Sequence, residues 1–317
     1  MASAPTAPAV PSPAPAPPWL AWLCLGTVYV VWGSTYLAIR VMVRTVPPLL
    51  GAGLRYLVAG ALLALALRLR RGRGSLGVDR RQVLSAVGVG SFLLFGGNGL
   101  VTVAERHVPS GLAALLVASV PLWVVALRPV LGERTGRLAL VGTALGFVGV
   151  GLLVLPGNRP GGAPLGAMLL VVLAALSWAS GSLLSRRVAL PREPFLSTAV
   201  QMLGGGAVMT VVGAASGELG SAHPGSLSGE SIAAFAYLVL AGSLAAFTAY
   251  AWLLQHVPIG RVATYAYVNP VVAVALGWLV LGEPIGTLTA VAAALVVGSV
   301  AITVRGDQGG AGAPSRG

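Results

Sequence analysis

Lysine is missing from these 317 residues, so all twenty basic side chains are arginine. Without lysine no Gly-Lys-Ser/Thr phosphate loop can be written, and a nucleotide-driven pump has no home in the chain. Cysteine occurs once, as Cys24, which excludes an intramolecular disulfide and reads as a small packing residue. The three histidines, His107, His223 and His256, show no metal-ligand spacing, so neither a metal nor another cofactor is expected. Acidic residues number eight, and Asp79, Glu105, Glu133, Glu193, Glu218, Glu230, Glu283 and Asp307 all lie in loops, tails or at the ends of apolar runs. That placement leaves no paired carboxylates at a common depth for intramembrane hydrolysis and no midplane carboxylate for a proton relay. Glu105 is the one plausible titrating candidate, with a membrane-edge ion pair as its other reading. No catalytic residue is expected.

What the chain has in excess is apolar length. Hydrophobic residues make up 56% of it, charged residues 9%, and the mean hydropathy is +0.88, too little polar surface for a water-soluble fold. A bilayer core of about 30 Å needs roughly 20 apolar residues in a helix, and ten such runs follow one another. They cover residues 19–39, 49–67, 83–104, 109–130 and 138–155, then 165–184, 195–215, 232–254, 259–281 and 285–304. The expected fold is an all-α integral membrane protein of ten transmembrane helices, with the lipid bilayer as its solvent. A net charge of +12 would suggest nucleic acid in a soluble protein. Here the arginines sit in the gaps between runs and are not interleaved with aromatics along a stripe, so no nucleic-acid partner is expected.

The arginines instead report orientation. With the N-terminus cytoplasmic, the outer loops hold only Arg40, Arg44, Arg106 and Arg159, Arg55 lies within a span, and the remaining fifteen fall inside. The positive-inside rule asks for this bias, which places both termini in the cytoplasm of a bacterial inner membrane. Residues 1–18, rich in Ala and Pro, and residues 305–317, rich in Gly, read as disordered cytoplasmic tails.

Between the tails the chain repeats itself. His107-Val108-Pro109-Ser110-Gly111, closing at Leu131-Gly132-Glu133, returns as His256-Val257-Pro258-Ile259-Gly260, closing at Leu281-Gly282-Glu283. Pro121 falls opposite Pro270, and the interval from Trp32 to Arg40 matches that from Trp178 to Arg186. Two diverged copies, residues 19–155 and 156–304, each carry five spans. An odd number inverts the second copy relative to the first, the arrangement of many secondary transporters, which bind substrate near the midplane between repeats.

Trp32-Gly33-Ser34-Thr35-Tyr36-Leu37-Ala38-Ile39-Arg40, Arg55-Tyr56, the Val108-to-Leu116 segment and the two Leu-Gly-Glu turns resemble the EamA-type branch of the drug/metabolite transporter superfamily. The resemblance covers residues 19–304. It implies a carrier, often an exporter of amino acids or other small metabolites, with a central cavity lined by the first, third, fourth, sixth, eighth and ninth helices. The cargo differs between members of that branch. A membrane sensor or scaffold retaining the carrier fold is the alternative reading.

Polar and aromatic groups at membrane depth are expensive unless they face a cavity or a partner, and they mark the candidate site. Trp32 and Tyr36 are one turn apart, with Ser34 and Thr35 beside them. Asn98 lies among Gly96, Gly97 and Gly99, Ser119 precedes Pro121, Trp178 is the repeat mate of Trp32, and Tyr265 and Asn269 are spaced i,i+4. These residues are expected to bind a small-molecule substrate, or else to pack helices together. Pro121 and Pro270 each remove a helix hydrogen bond and mark a gating region or static kinks. Arg55 is the one basic residue well inside a span, suited to a structural role on nearby carbonyls or to a substrate carboxylate. Ser182 shares a face with Trp178, and Gln201 is a further polar residue within a span. The Gly142–Gly146 spacing admits internal packing or a homodimer contact.

Overall fold

The computed structural model describes residues 17–72, 77–133, 135–154 and 162–311. Ten apolar helices account for nearly all of it: α1 Pro18–Met42, α2 Pro48–Arg71, α3 Arg80–Ala104, α4 Ser110–Leu131, α5 Arg137–Val154, α6 Leu165–Ser185, α7 Pro194–Ala215, α8 Gly229–Leu254, α9 Tyr265–Leu281 and α10 Thr287–Ala311. No strand occurs among the described residues. The protein is thus an all-α membrane protein of two inverted five-helix repeats. Eight runs agree with their expected spans to within a few residues because apolar length is set by bilayer thickness, whereas α9 starts six residues later than expected and α10 ends seven later.

Two expectations about the tails change. Residues 1–16 lie outside the described residues, but Pro18, assigned to the first tail, already opens α1 at a position where its missing N–H costs nothing. At the other end α10 continues past Arg305 to Ala311, since no proline in that stretch removes a backbone donor, although its three glycines are weak helix formers. Residues 312–317 lie outside the described residues.

Two pairs of helices, each with one member from either repeat, form a scaffold. α2 packs along α7 and α5 along α10, in both cases through small residues. A Cβ at Gly142 would come within 2.8 Å of the Thr303 nitrogen and 3.0 Å of the Ser299 carbonyl, so the Gly142–Gly146 face is spent on α10. Internal packing, the first of its two readings, is what that face does.

The inner helices are irregular. α1, α3 and α8 widen into π-helical turns over Val28–Trp32, Ser91–Gly99 and Leu238–Ala245. α4 breaks at Ala118 and Ser119, while the chain entering α9 breaks between Val262 and Tyr265. Pro270 lies inside continuous helix, six residues beyond that break. Pro121 instead sits in the first turn of the helical segment that follows the α4 break. Backbone irregularity at membrane depth is tolerated where it is buried or lines a cavity.

Candidate functional site

The bundle encloses a central cavity of about 140 Å³. Its wall comes from α1, α3, α4, α6, α8 and α9, the six helices implied by the resemblance, and α2 adds Arg55 and Tyr56. A second, larger space of about 490 Å³ adjoins it toward the end of the molecule carrying the α6–α7 loop, where Ser185, Arg186, Leu190 and Pro194 form the mouth. Trp32, Trp178, Phe247 and Tyr265 belong to both walls and form the partition between them.

Trp32 organises that partition. Its ring lies 5.2 Å from Phe247, 5.1 Å from Tyr250 and 5.3 Å from Tyr265, centroid to centroid, mostly edge to face. The indole nitrogen donates to the Gly242 carbonyl at 3.2 Å, a hydrogen bond into the π-helical turn of α8. Each such aromatic pair contributes about 0.5–1.5 kcal/mol beyond area burial. Trp178 closes the partition from α6, and Gly97 leaves room for it: a Cβ there would sit 2.7 Å from the indole ring.

Of the residues singled out in the sequence, Trp32, Thr35, Tyr36, Asn98, Trp178, Tyr265, Asn269, Pro121 and Pro270 all reach the central wall. The buried Asn269 amide, oriented to satisfy its neighbours, donates to the Tyr265 carbonyl at 3.3 Å and the Tyr29 carbonyl at 3.2 Å. Thr35 donates back to the Trp32 carbonyl at 2.6 Å. Pro121 and Pro270 cannot donate to the carbonyls of Val117 and Ala266, and both of those residues line the cavity as repeat equivalents.

Two candidates do not join the site. Ser34 lies about 200° around the helix from Trp32, where its hydroxyl meets the Tyr237 hydroxyl at 2.6 Å. Ser119 is fully buried in the α4 break and returns its hydroxyl to the Leu116 carbonyl at 2.6 Å, outside the cavity wall. Gln201 and Ser182 line the larger space, so α7 contributes to the vestibule. Sequence reasoning passed over Phe247 and Tyr250 on α8. Their i,i+3 spacing was the available signal, but the surrounding run is apolar on every side.

Among the described residues Arg55 makes no bond to a carbonyl. Its Nε donates to the Ser243 hydroxyl at 2.9 Å and its guanidinium lies 4.8 Å from the centre of the Tyr56 ring.

The two ends of the bundle are tied differently. At the end of the α1–α2 loop, the Glu283 carboxylate accepts from the Ser110 and Gly111 amides at 2.7 and 3.0 Å, and Glu218 accepts from Leu49 and Leu50 at 3.2 and 2.8 Å. Arg40 donates there to the Glu105 carbonyl. The Glu105 carboxylate beneath is fully buried, and neither of its oxygens has a hydrogen-bond partner among the described residues, so the expected ion pair is not formed. Burial, and then the Glu283 charge, hold that carboxyl well above the ordinary carboxylate range, opposed by Arg40. At the opposite end Glu133 pairs with Arg187 at 3.3 Å and Arg128 at 3.7 Å, and Glu193 with Arg71 at 3.4 Å. His107 and His256 lie at opposite ends of the bundle and cannot share an ion.

Ten apolar helices in two inverted halves, with an aromatic cavity where the halves meet, define the class of inverted-repeat membrane transporters. The chain belongs to the EamA-like transporter family of the drug/metabolite transporter superfamily, whose sequence profile matches residues 18–155 and 165–305. It is 41% identical over 283 residues to the uncharacterized inner membrane transporter YedA of Escherichia coli (strain K12), covering 89% of this chain and 90% of that one. A probable amino-acid metabolite efflux pump of Salmonella typhimurium (strain LT2) is 27% identical, with 88% and 93% covered. A protein of known crystal structure superposes with a TM-score of 0.62 at 25% identity, over 91% of this chain and 97% of that one.

Proposed function

We propose that the protein is a secondary carrier that exports a small metabolite, an amino acid or amphipathic compound, across a bacterial inner membrane by alternating access. The observation that carries this reading is the aromatic cavity between the repeats, reached through a vestibule at one end while the other end is cross-tied. In the orientation favoured by the arginine distribution, with both termini cytoplasmic, the vestibule opens inward. Substrate enters past Arg186, crosses the Trp32–Trp178 partition and rests against Trp32, Tyr36, Asn98, Tyr265 and Asn269. The α4 and α9 helices, interrupted and proline-bearing, move to expose it on the other side. The probable efflux pump and the inner membrane transporter among the relatives support the same direction and membrane.

The test is efflux from cells loaded with amino acids, organic acids or cationic dyes, comparing the native chain with Trp32→Ala and Asn269→Ala at matched membrane expression. Saturable efflux of one class, lost in both variants, is the expected result. Efflux untouched by either substitution would move the site elsewhere. If no compound moves in cells or in reconstituted counterflow, the protein is a sensor or scaffold on a carrier fold.

A further inference from the structure

Among the described residues Arg55 is the one charged side chain on the wall of the central cavity, and it is only 3% exposed. A centred arginine costs on the order of 2.5–3.5 kcal/mol on the most lenient insertion scale, so its retention calls for compensation. Two half-buried glutamates near the helix ends have partners of opposite sign, Glu133 with Arg128 and Arg187 and Glu193 with Arg71, while Glu218 and Glu283 accept from backbone amides. Arg55 has no carboxylate partner among the described residues. The Ser243 hydroxyl takes Nε, the Tyr56 ring lies against the guanidinium, and the two terminal nitrogens make no protein hydrogen bond among the described residues.

Among the described residues no carboxylate lines either space, and the only other charged side chain on the two walls is Arg186 at the vestibule mouth. The whole route therefore carries positive charge alone between low-dielectric walls, which concentrates anions and repels cations. The aromatic partition by itself would suit an organic cation, but the fixed charge of Arg55 opposes that. One guanidinium, with no second cation and no array of backbone amides beside it, suits a monoanion better than a phosphate. The planar fork of arginine matches a carboxylate in a bidentate pair. The remaining wall is aromatic and aliphatic, so the rest of the ligand is apolar.

We propose that Arg55 is the anion anchor of the central cavity and that the cargo carries a single carboxylate on a small apolar body. The inference rests on the carrier reading and narrows its substrate class. The guanidinium is held in place by Ser243 and Tyr56, and an arriving carboxylate supplies a counter-charge.

The experiment uses the full-length protein in lipid nanodiscs and two probes of similar size, hydrocinnamate and phenethylamine, with binding read from the fluorescence of the cavity tryptophans. Hydrocinnamate is expected to bind and phenethylamine to fail. Arg55→Gln should weaken hydrocinnamate roughly ten- to hundredfold, the range of a charge-assisted hydrogen bond, and Arg55→Lys should weaken it less because the charge survives without the fork. The comparison of probes on the unsubstituted protein stands even if Arg55→Gln does not fold. Phenethylamine bound as tightly as hydrocinnamate, neither probe bound, or hydrocinnamate binding unchanged in Arg55→Gln would each overturn the proposal. Counterflow in liposomes separates it from the carrier reading. Carboxylate-selective binding without counterflow keeps the anchor and sinks the carrier, whereas saturable counterflow of phenethylamine alone keeps the carrier and sinks the anchor.

Discussion

A carboxyl group that is fully buried, faces a second carboxylate and lacks a hydrogen-bond partner among the described residues responds to pH, and Glu105 is such a group. It lies one residue past the end of α3. Arg40 and Tyr36 face it from α1 and Glu283 from the turn after α9, while Arg106 and His107 beside it are exposed. Its pKa is raised in the folded protein, so the folded state holds the proton more tightly than the unfolded chain. The stability this contributes is complete below the ordinary carboxylate pKa of about 4.3 and is lost as pH rises through the folded value. Thermal unfolding in detergent should therefore show a melting temperature that falls toward alkaline pH, and Glu105→Gln should flatten that slope. An equal slope in both proteins would assign the titration to another group. The sequence offered Glu105 either as a titrating residue or as half of an ion pair, and adjacency to Arg106 in the chain says nothing about where the two side chains point. Ser34 failed for a similar reason: two residues along a helix from Trp32 is the far side.

At the level of the helix, the prolines of α4 and α9 are equivalent in sequence but not in structure. Pro270 is internal to α9, where proline removes a hydrogen bond and crowds the preceding turn. Pro121 occupies the first turn after the α4 break, a position that tolerates proline. Replacing Pro270 by alanine should therefore stabilise the protein, by roughly the 1 kcal/mol of a recovered hydrogen bond or more, and slow transport by stiffening the helix. Pro121→Ala should change the melting temperature much less. Unfolding curves paired with flux for both variants check this, and equal effects would argue that the two prolines are static packing residues. The ten runs were legible because a helix crossing lipid must be apolar along its whole length. The wide turns of α1, α3 and α8 were not, since no residue pattern in Val28–Trp32, Ser91–Gly99 or Leu238–Ala245 sets a π turn apart from the α-helix around it. Phe247 and Tyr250 were hidden in the same way, because in an all-apolar helix the cavity face has no hydrophobic contrast to announce it.

For the molecule as a whole, inversion of the repeats makes the two ends comparable, and they differ. Both Leu-Gly-Glu turns close a helix with a left-handed glycine, Gly132 at φ 75° and Gly282 at φ 65°, a conformation that glycine adopts without steric cost. Each turn then presents a glutamate. Glu283 caps the start of α4, tying α9–α10 to the other repeat, whereas its counterpart Glu133 pairs with Arg128 and Arg187. If alternating access exchanges the conformations of the two halves, each glutamate serves as the tie of one state. Glu283→Gln weakens charged hydrogen bonds to Ser110 and Gly111 and should shift the population toward opening at that end by roughly tenfold, the worth of about 1.4 kcal/mol. Glu133→Gln should shift it the other way. Val117 lines the central cavity, so Val117→Cys in a Cys24→Ser background reports the exchange through labelling by a membrane-impermeant maleimide added outside. Labelling should rise with Glu283→Gln and fall with Glu133→Gln. A change of the same sign in both would mean that the glutamates only brace the fold, and that the asymmetry between the ends is not the one exchanged during transport.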